Sequence, residues 1–356
     1  MIMDIKNMLQ LIVEKGASDL HVLVGIPPHF RLEGELHPFP NESPVTSDMM
    51  DKFIKDILTS EQLERLDVNK ELDFSLSFND KARFRVNAYT QKGSHALSFR
   101  TIPLTIPKID ELGLPQILHS FTNLKQGFVL VTGPTGHGKS TTLASMLEEI
   151  NQTRSEHIVT IEDPIEFIFN PKKSIISQRE MGADSHSWQV ALRSALREDP
   201  DIVLVGEMRD YDTISSAITV AETGHLVFST LHTNSAAQTI DRIVDVFPEE
   251  QQQQIRLQLS NVIEAVFSLR LVPGVNGRRV VAYEVMLGTS AIKNSIREGK
   301  THQIDNIIQT STEMGMRTLE MSLADHVKKG TVSLEVAQSY SVRPEELSRI
   351  VRSSGT

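Results

Sequence analysis

Cysteine is absent from this 356-residue chain, which excludes disulfides and thiolate zinc sites alike. Aromatic residues are scarce at 5%, with one tryptophan, so the chain has few rings on which to stack nucleobases. Excess positive charge is also missing: 36 Lys and Arg stand against 46 Asp and Glu, a formal net charge of -10. Such a balance gives no bulk attraction to a phosphodiester backbone. A RecA-like DNA translocase should show a basic stripe with interleaved aromatics, so no specific nucleic-acid partner is expected. No apolar run approaches the ~18–20 residues of a bilayer span, and Met1-Ile2-Met3-Asp4-Ile5-Lys6 lacks a signal-peptide layout. The expectation is a cytosolic protein, or one docked on a membrane through partners.

What is present divides the chain in two, since a single core stops growing near ~250–300 residues. Ile5, Met8, Leu9, Ile12 and Val13 recur at helical spacing, with Gly16 to end the helix. Strand-like pieces follow at 20–24, 28–36, 72–78, 83–90 and 95–102, interrupted by a helical pattern around 47–58. They predict a small α+β domain over 1–102. Pro103, Pro107, Gly113 and Pro115 mark a linker over 103–115. From Gln116 to 356, apolar runs at 127–132, 157–162, 201–205 and 225–230 alternate with helical segments, which predicts a mostly parallel, doubly wound α/β sheet. From about 290 the pattern is helical to the end.

Chemistry concentrates in Gly133-Pro134-Thr135-Gly136-His137-Gly138-Lys139-Ser140-Thr141, which fits G-x-x-x-x-G-K-[ST] between an apolar strand and a helix. Such a loop aims backbone N–H groups and a helix N-terminus at nucleotide phosphates. Lys139 should reach the β- and γ-phosphates of ATP, Ser140 should ligate Mg2+, and Thr141 should begin the helix. His137 either adds charge beside the phosphate when protonated below about pH 6.5, or points to solvent. The strand Asp201-Ile-Val-Leu-Val-Gly-Glu207 ends in an acid suited to supporting Mg2+, with Gly206 where many P-loop proteins carry Asp. Glu162, Asp163 and Glu166 cluster around a proline turn, either as catalytic carboxylates or as a solvated strand end. His225 and His232 flank one buried strand, too far apart for a metal pair. Arg83 and Arg85 share a strand face and Arg100 ends the next strand; they are either a solvated surface or guanidinium groups supplied to the γ-phosphate across a domain interface.

The P-loop, Ile161-Glu-Asp-Pro-Ile-Glu166, Arg197-Glu-Asp-Pro-Asp-Ile-Val-Leu-Val-Gly-Glu-Met-Arg-Asp210 and Ala221-Glu-Thr-Gly-His225 together resemble the Walker A, Asp box, Walker B and His box of the secretion and type IV pilus ATPases. Ser18-Asp19-Leu20-His21 and Ala291-Ile-Lys-Asn-Ser-Ile-Arg-Glu298 are most similar to the retraction branch. The resemblance covers nearly the whole chain. It implies a PAS-like α+β N-terminal domain, a RecA-like ATPase domain and a homo-hexamer that uses ATP and Mg2+ to retract pili. Glu166 would be the general base, and Glu207 would support Mg2+ through water. His232 and His225 would sense nucleotide, while Arg85 and Arg100 would approach ATP. The implied partners are an inner-membrane pilus platform protein and, indirectly, pilin. On the helix over 291–298, Ile292 and Ile296 form an i,i+4 apolar pair and Lys293 and Arg297 a neighbouring basic pair offered to a partner. The alternatives are an accessory retraction paralogue, and an assembly or secretion ATPase, although those commonly carry a four-cysteine zinc site. Four residues depart from the family pattern: His137 for a small residue, Leu269 for glutamine, Lys293 for arginine and Ser295 for leucine.

Overall fold

The computed structural model describes residues 4–32, 34–78, 82–102 and 105–353. Pro103, part of the expected linker, lies outside them. The chain forms two compact units, Met1–Thr105 with Pro164–Ile168, and Ile106–Asp163 with Phe169–Thr356.

The first unit opens on α1 (Ile5–Lys15), which the Asp4 carboxylate caps at the Asn7 N–H and which buries Ile5, Met8, Leu9 and Ile12. The sheet that receives this face comprises β1 (Asp19–Leu23), β2 (His29–Leu32), β3 (Glu35–Pro38), β4 (Glu71–Phe78), β5 (Ala82–Gln91) and β6 (Ser94–Ile102). Helices α2 (Ser47–Ile57) and α3 (Ser60–Asn69) lie between β3 and β4 in sequence. All neighbours in the order β3-β2-β1-β6-β5-β4 pair antiparallel. Period-two alternation then sorts the sheet into two faces. Ala82, Phe84, Val86 and Ala88 enter the core with Phe99 and Leu20. Arg83 and Arg85 take the other face, where Arg85 stands opposite Arg100, Arg100 opposite Asp19, and Asp19 opposite Arg31.

The second unit runs through α4 (Leu118–Thr122), β7 (Gly127–Thr132), α5 (Lys139–Thr153), β8 (His157–Glu162), β9 (Ile175–Glu180), α6 (Trp188–Ala195), β10 (Ile202–Val205), α7 (Tyr211–Glu222) and β11 (Leu226–Leu231). It continues with α8 (Ala236–Asp245), α9 (Glu249–Val262), β12 (Ile263–Pro273) and β13 (Arg279–Leu287). The helices α10 (Ser290–Arg297), α11 (Ile304–Thr310), α12 (Leu319–Lys328), α13 (Leu334–Tyr340) and α14 (Pro344–Ser353) come last. Strand order is β13-β12-β7-β11-β10-β8-β9, parallel throughout except for the β12–β13 pair. Every residue of β7 and β11 is buried. Each fully buried Phe, Val or Leu there contributes about 1.5–3 kcal/mol. That burial holds both strands at the centre of the sheet.

The mixed α/β class is the one expected, with two refinements. β9 is an edge strand, Ile-Ile-Ser-Gln-Arg-Glu, whose polar half carries little strand signal. Helix α9 passes into β12 with no intervening residue, so no turn residue marks the change of period. A second cluster, built from Val272, Ala282, Leu319, Leu323, Val332 and Leu347, seats the C-terminal helices on the β12–β13 hairpin.

Candidate nucleotide-binding and catalytic site

Because β7, β11, β10 and β8 are parallel neighbours, their carboxyl ends share one edge of the sheet. Ligands of such sheets bind at that edge. The glycine loop leaves β7 there, and α5 starts at Lys139, two residues earlier than the sequence suggested. Gly138 precedes it at φ 92°, and the first turn carries no acidic side chain, so the helix presents bare N–H groups. At the other end of the loop, a Cβ on Gly133 would lie 2.3 Å from the Leu269 carbonyl oxygen, so only glycine permits this approach. Lys139 is buried, and its Nζ donates to the carbonyls of Gly133 at 2.8 Å and Pro134 at 3.1 Å.

β11 lies between β7 and β10, so a residue just past its carboxyl end can touch the segments that leave both neighbours. That residue is His232. Its Nδ1 is 3.4 Å from Lys139 Nζ and 3.2 Å from Thr135 Oγ1, while its Nε2 is 2.9 Å from Glu207 Oε1. Lys139 and Thr135 can both donate to Nδ1. The tautomer that satisfies the set therefore carries its proton on Nε2 and gives it to Glu207. Arg209 Nη2 donates to the other Glu207 oxygen at 2.8 Å. Burial pushes the Glu207 carboxyl up, but the hydrogen bond and charge of Arg209 and the His232 hydrogen bond outweigh it and hold the group below the usual carboxylate range. Glu207 thus stays anionic. Gly206 has a local cause as well: a Cβ there would stand 3.3 Å from the backbone of Ile161 and Glu162 on neighbouring β8. Close strand packing thus crowds any side chain at this position.

His137 fits neither sequence expectation. Its ring is half-buried, and Nδ1 accepts the Leu271 N–H at 3.0 Å. Burial, reinforced by the charges of Arg270, Arg279 and Lys139, keeps the imidazole pKa below its ordinary value. The ring therefore resists the protonation that would have added charge beside phosphate. Leu269, the departure from glutamine, is buried, and its Cδ1 and that of Leu271 approach the space beside Gly138. Here the loop is backed by hydrocarbon.

The remaining sequence candidates are divided between the two units. Glu166, Arg85 and Arg100 belong to the first unit, whereas Lys139, Ser140, Glu207 and His232 belong to the second. Arg100 Nε donates to Asp19 at 2.9 Å with its side chain largely exposed. Arg83 donates to the hydroxyls of Ser75 and Ser77, a sheet-surface role. His225 stands at the start of β11, about 23 Å of strand from His232. Its Nδ1 meets Thr223 Oγ1 at 3.0 Å and the Val220 carbonyl at 3.1 Å. It closes the α7–β11 turn and does not share the His232 cluster. On α10, Ile292, Ile296 and Ser295 are buried and Arg297 is exposed. Lys293 differs from the expected outward-facing cation, because its Nζ pairs with Glu264 of the same chain at 2.8 Å. Sequence reading gave Arg209 and Leu271 no role. Arg209 at least lay within the Glu-Met-Arg-Asp stretch that ends the Walker B motif.

Comparison with known proteins agrees with this geometry. The family model described as Type II/IV secretion system protein matches residues 1–276. The type IV pilus retraction ATPase PilT of Pseudomonas aeruginosa is 48% identical over 96% of this chain and 99% of its own length. A twitching motility protein of Neisseria gonorrhoeae is 44% identical over 90% of this chain and 86% of its own length. The crystal structure of the pilus retraction motor PilT with bound ADP superposes with a TM-score of 0.91 at 44% identity, covering 98% of this chain and 99% of that one. The Legionella pneumophila ATPase DotB superposes with a TM-score of 0.83 at 29% identity, with 93% of each chain covered. The chain belongs to the type II/IV secretion system protein family, in the branch of the type IV pilus retraction ATPases.

Proposed function

We propose that this chain is an ATP-hydrolysing motor that works as a homo-hexamer on the cytoplasmic side of the inner membrane and powers type IV pilus retraction. The observation that carries the reading is the Lys139–His232–Glu207 chain at the carboxyl edge of a parallel sheet, beside a glycine loop that opens a helix. A protein that merely held ATP would not need a buried lysine wired to an anionic Walker B acid. Among the described residues no helix is long and apolar enough to cross a membrane, so membrane attachment would come from a platform protein.

Gly133 to Gly138 would cradle the phosphates of ATP, and Lys139 would turn from the loop carbonyls to the β- and γ-oxygens. Ser140 and Glu207 offer hard oxygen ligands suited to Mg2+, with Glu207 acting through water. The metal, when bound, neutralises charge on the transferring phosphoryl group. Glu166 would take the proton of the attacking water, and Arg85 and Arg100 would stabilise the developing charge. His232 would report occupancy of the loop to Glu207, since it touches both. The exposed Arg297 on α10 would face the pilus machinery, with the machine acting on pilin indirectly.

Glu166→Gln tests the assignment of the base. The substitution removes the proton acceptor and preserves shape, so ATP should bind and remain uncleaved in a single turnover. Cleavage near the unmodified rate would remove Glu166 from that role.

A further inference from the structure

Strand β12 is longer than its neighbour. It pairs with β7 only as far as Ser268 opposite Thr132, while its pairing with β13 continues to Pro273. Residues 269–273 therefore project past the end of β7, alongside the glycine loop. A projecting strand edge carries backbone groups that need partners. The Leu271 N–H on this edge finds one in His137 Nδ1 at 3.0 Å, across 134 positions of sequence.

The projecting segment has two faces, as strand alternation requires. Leu269 and Leu271 approach Gly138 on the loop side. On the other side Arg270 donates to the Tyr340 carbonyl, and Val272 is buried among the C-terminal helices. The strand end is thus braced from behind, and the loop leans on a fixed support. Apolar contact alone sets a distance without fixing a register. The His137 bond is directional and supplies the register.

We propose that His137 is a positioning residue, holding the glycine loop in its phosphate-binding shape by accepting the Leu271 N–H. The inference rests on the ATPase reading for its consequence, although the bond itself does not. Alanine, whose side chain ends at Cβ, offers no acceptor and would leave the loop without this tie. The bond also has a definite pH response. An imidazolium has no lone pair on Nδ1, so protonation breaks the contact. The charged groups facing the ring are Arg270, Arg279 and Lys139, all cationic, and they oppose that protonation.

The test uses the full chain and three forms: unmodified, His137→Ala and His137→Asn, whose amide oxygen restores an acceptor. Amide exchange of the peptide carrying Leu271, followed by mass spectrometry on protein without nucleotide, should be about fivefold to tenfold faster in His137→Ala and restored toward normal in His137→Asn. ATP affinity should fall by a similar factor in His137→Ala and recover in His137→Asn. Unchanged Leu271 exchange in His137→Ala would overturn the proposal, as would ATP affinity in His137→Asn no better than in His137→Ala. Failure of the unmodified chain to bind ATP would instead defeat the ATPase reading, and the exchange measurement would still judge the tie.

Discussion

Replacing Gly133 by alanine would put a methyl carbon 2.3 Å from the Leu269 carbonyl oxygen, at a backbone φ of +143°. Ordinary contact begins near 3.4 Å, so about 1.1 Å of separation must be created. Neither side yields easily, because the methyl is fixed to the loop backbone, the Leu269 carbonyl is itself backbone, and Leu269 is held in register with Tyr283 of β13. The loop must move, and Lys139 moves with it, since its Nζ rests on the Gly133 carbonyl. Misplacement of a catalytic constellation by about 1 Å costs roughly 100-fold in rate. Backbone strain adds about 1–3 kcal/mol to the folding cost. Gly330→Ala is the control, with a left-handed φ of +67° and nothing within 4 Å of the added carbon. It carries strain without collision and should lower the melting temperature while leaving hydrolysis intact. Steady-state ATP hydrolysis and thermal melts of both variants decide the matter. Gly133→Ala turning over within about threefold of the unmodified rate would refute the claim that this close approach shapes the site.

Three further outcomes are expected. Burial pushes the Glu284 carboxyl up to about 7 from an ordinary value of 4.5, so the folded chain holds a proton there that the unfolded chain releases. Its contribution is full below pH 4.5 and is lost as pH rises through 7, amounting to about 3 kcal/mol. Glu284→Gln keeps an acceptor for the Ala236 N–H and should gain on the unmodified chain by that amount between pH 4.5 and 8 in denaturant titrations, whereas a constant difference would contradict the reading. On α10, Arg297→Ala should leave hexamer formation and most ATP hydrolysis in place while stopping retraction. Lys293→Ala should cost less than about 1 kcal/mol of stability through its lost Glu264 pair. Loss of assembly in Arg297→Ala would make that residue structural.

How much of this was legible in the sequence depended on how local each signal is. The phosphate loop was readable because its residues are contiguous and flanked by a strand and a helix. The parallel strands β7, β8, β10 and β11 were readable because each is a short run built mainly of apolar residues. The His232–Glu207 contact was not, because strand order rather than sequence distance makes β11 the neighbour of both β7 and β10. His137 looked like a phosphate-facing or solvent-facing ring because its partner, Leu271, lies in a strand that continues a helix without a break. Lys293 looked free for a partner because Glu264 lies 29 positions away on β12. Periodicity assigns a side chain to a face. It does not say which neighbouring element is already there.

The central claim is that ATP hydrolysis at this loop drives pilus shortening, and the most direct measurement is imaging of labelled pili in cells where this chain is the sole retraction motor. Unmodified protein should retract extended pili. Lys139→Ala, which removes the charge for the β- and γ-phosphates, should leave them extended at equal protein abundance. Retraction that persists at the normal rate with Lys139→Ala, or pili that never shorten although the purified unmodified chain hydrolyses ATP, would contradict the account.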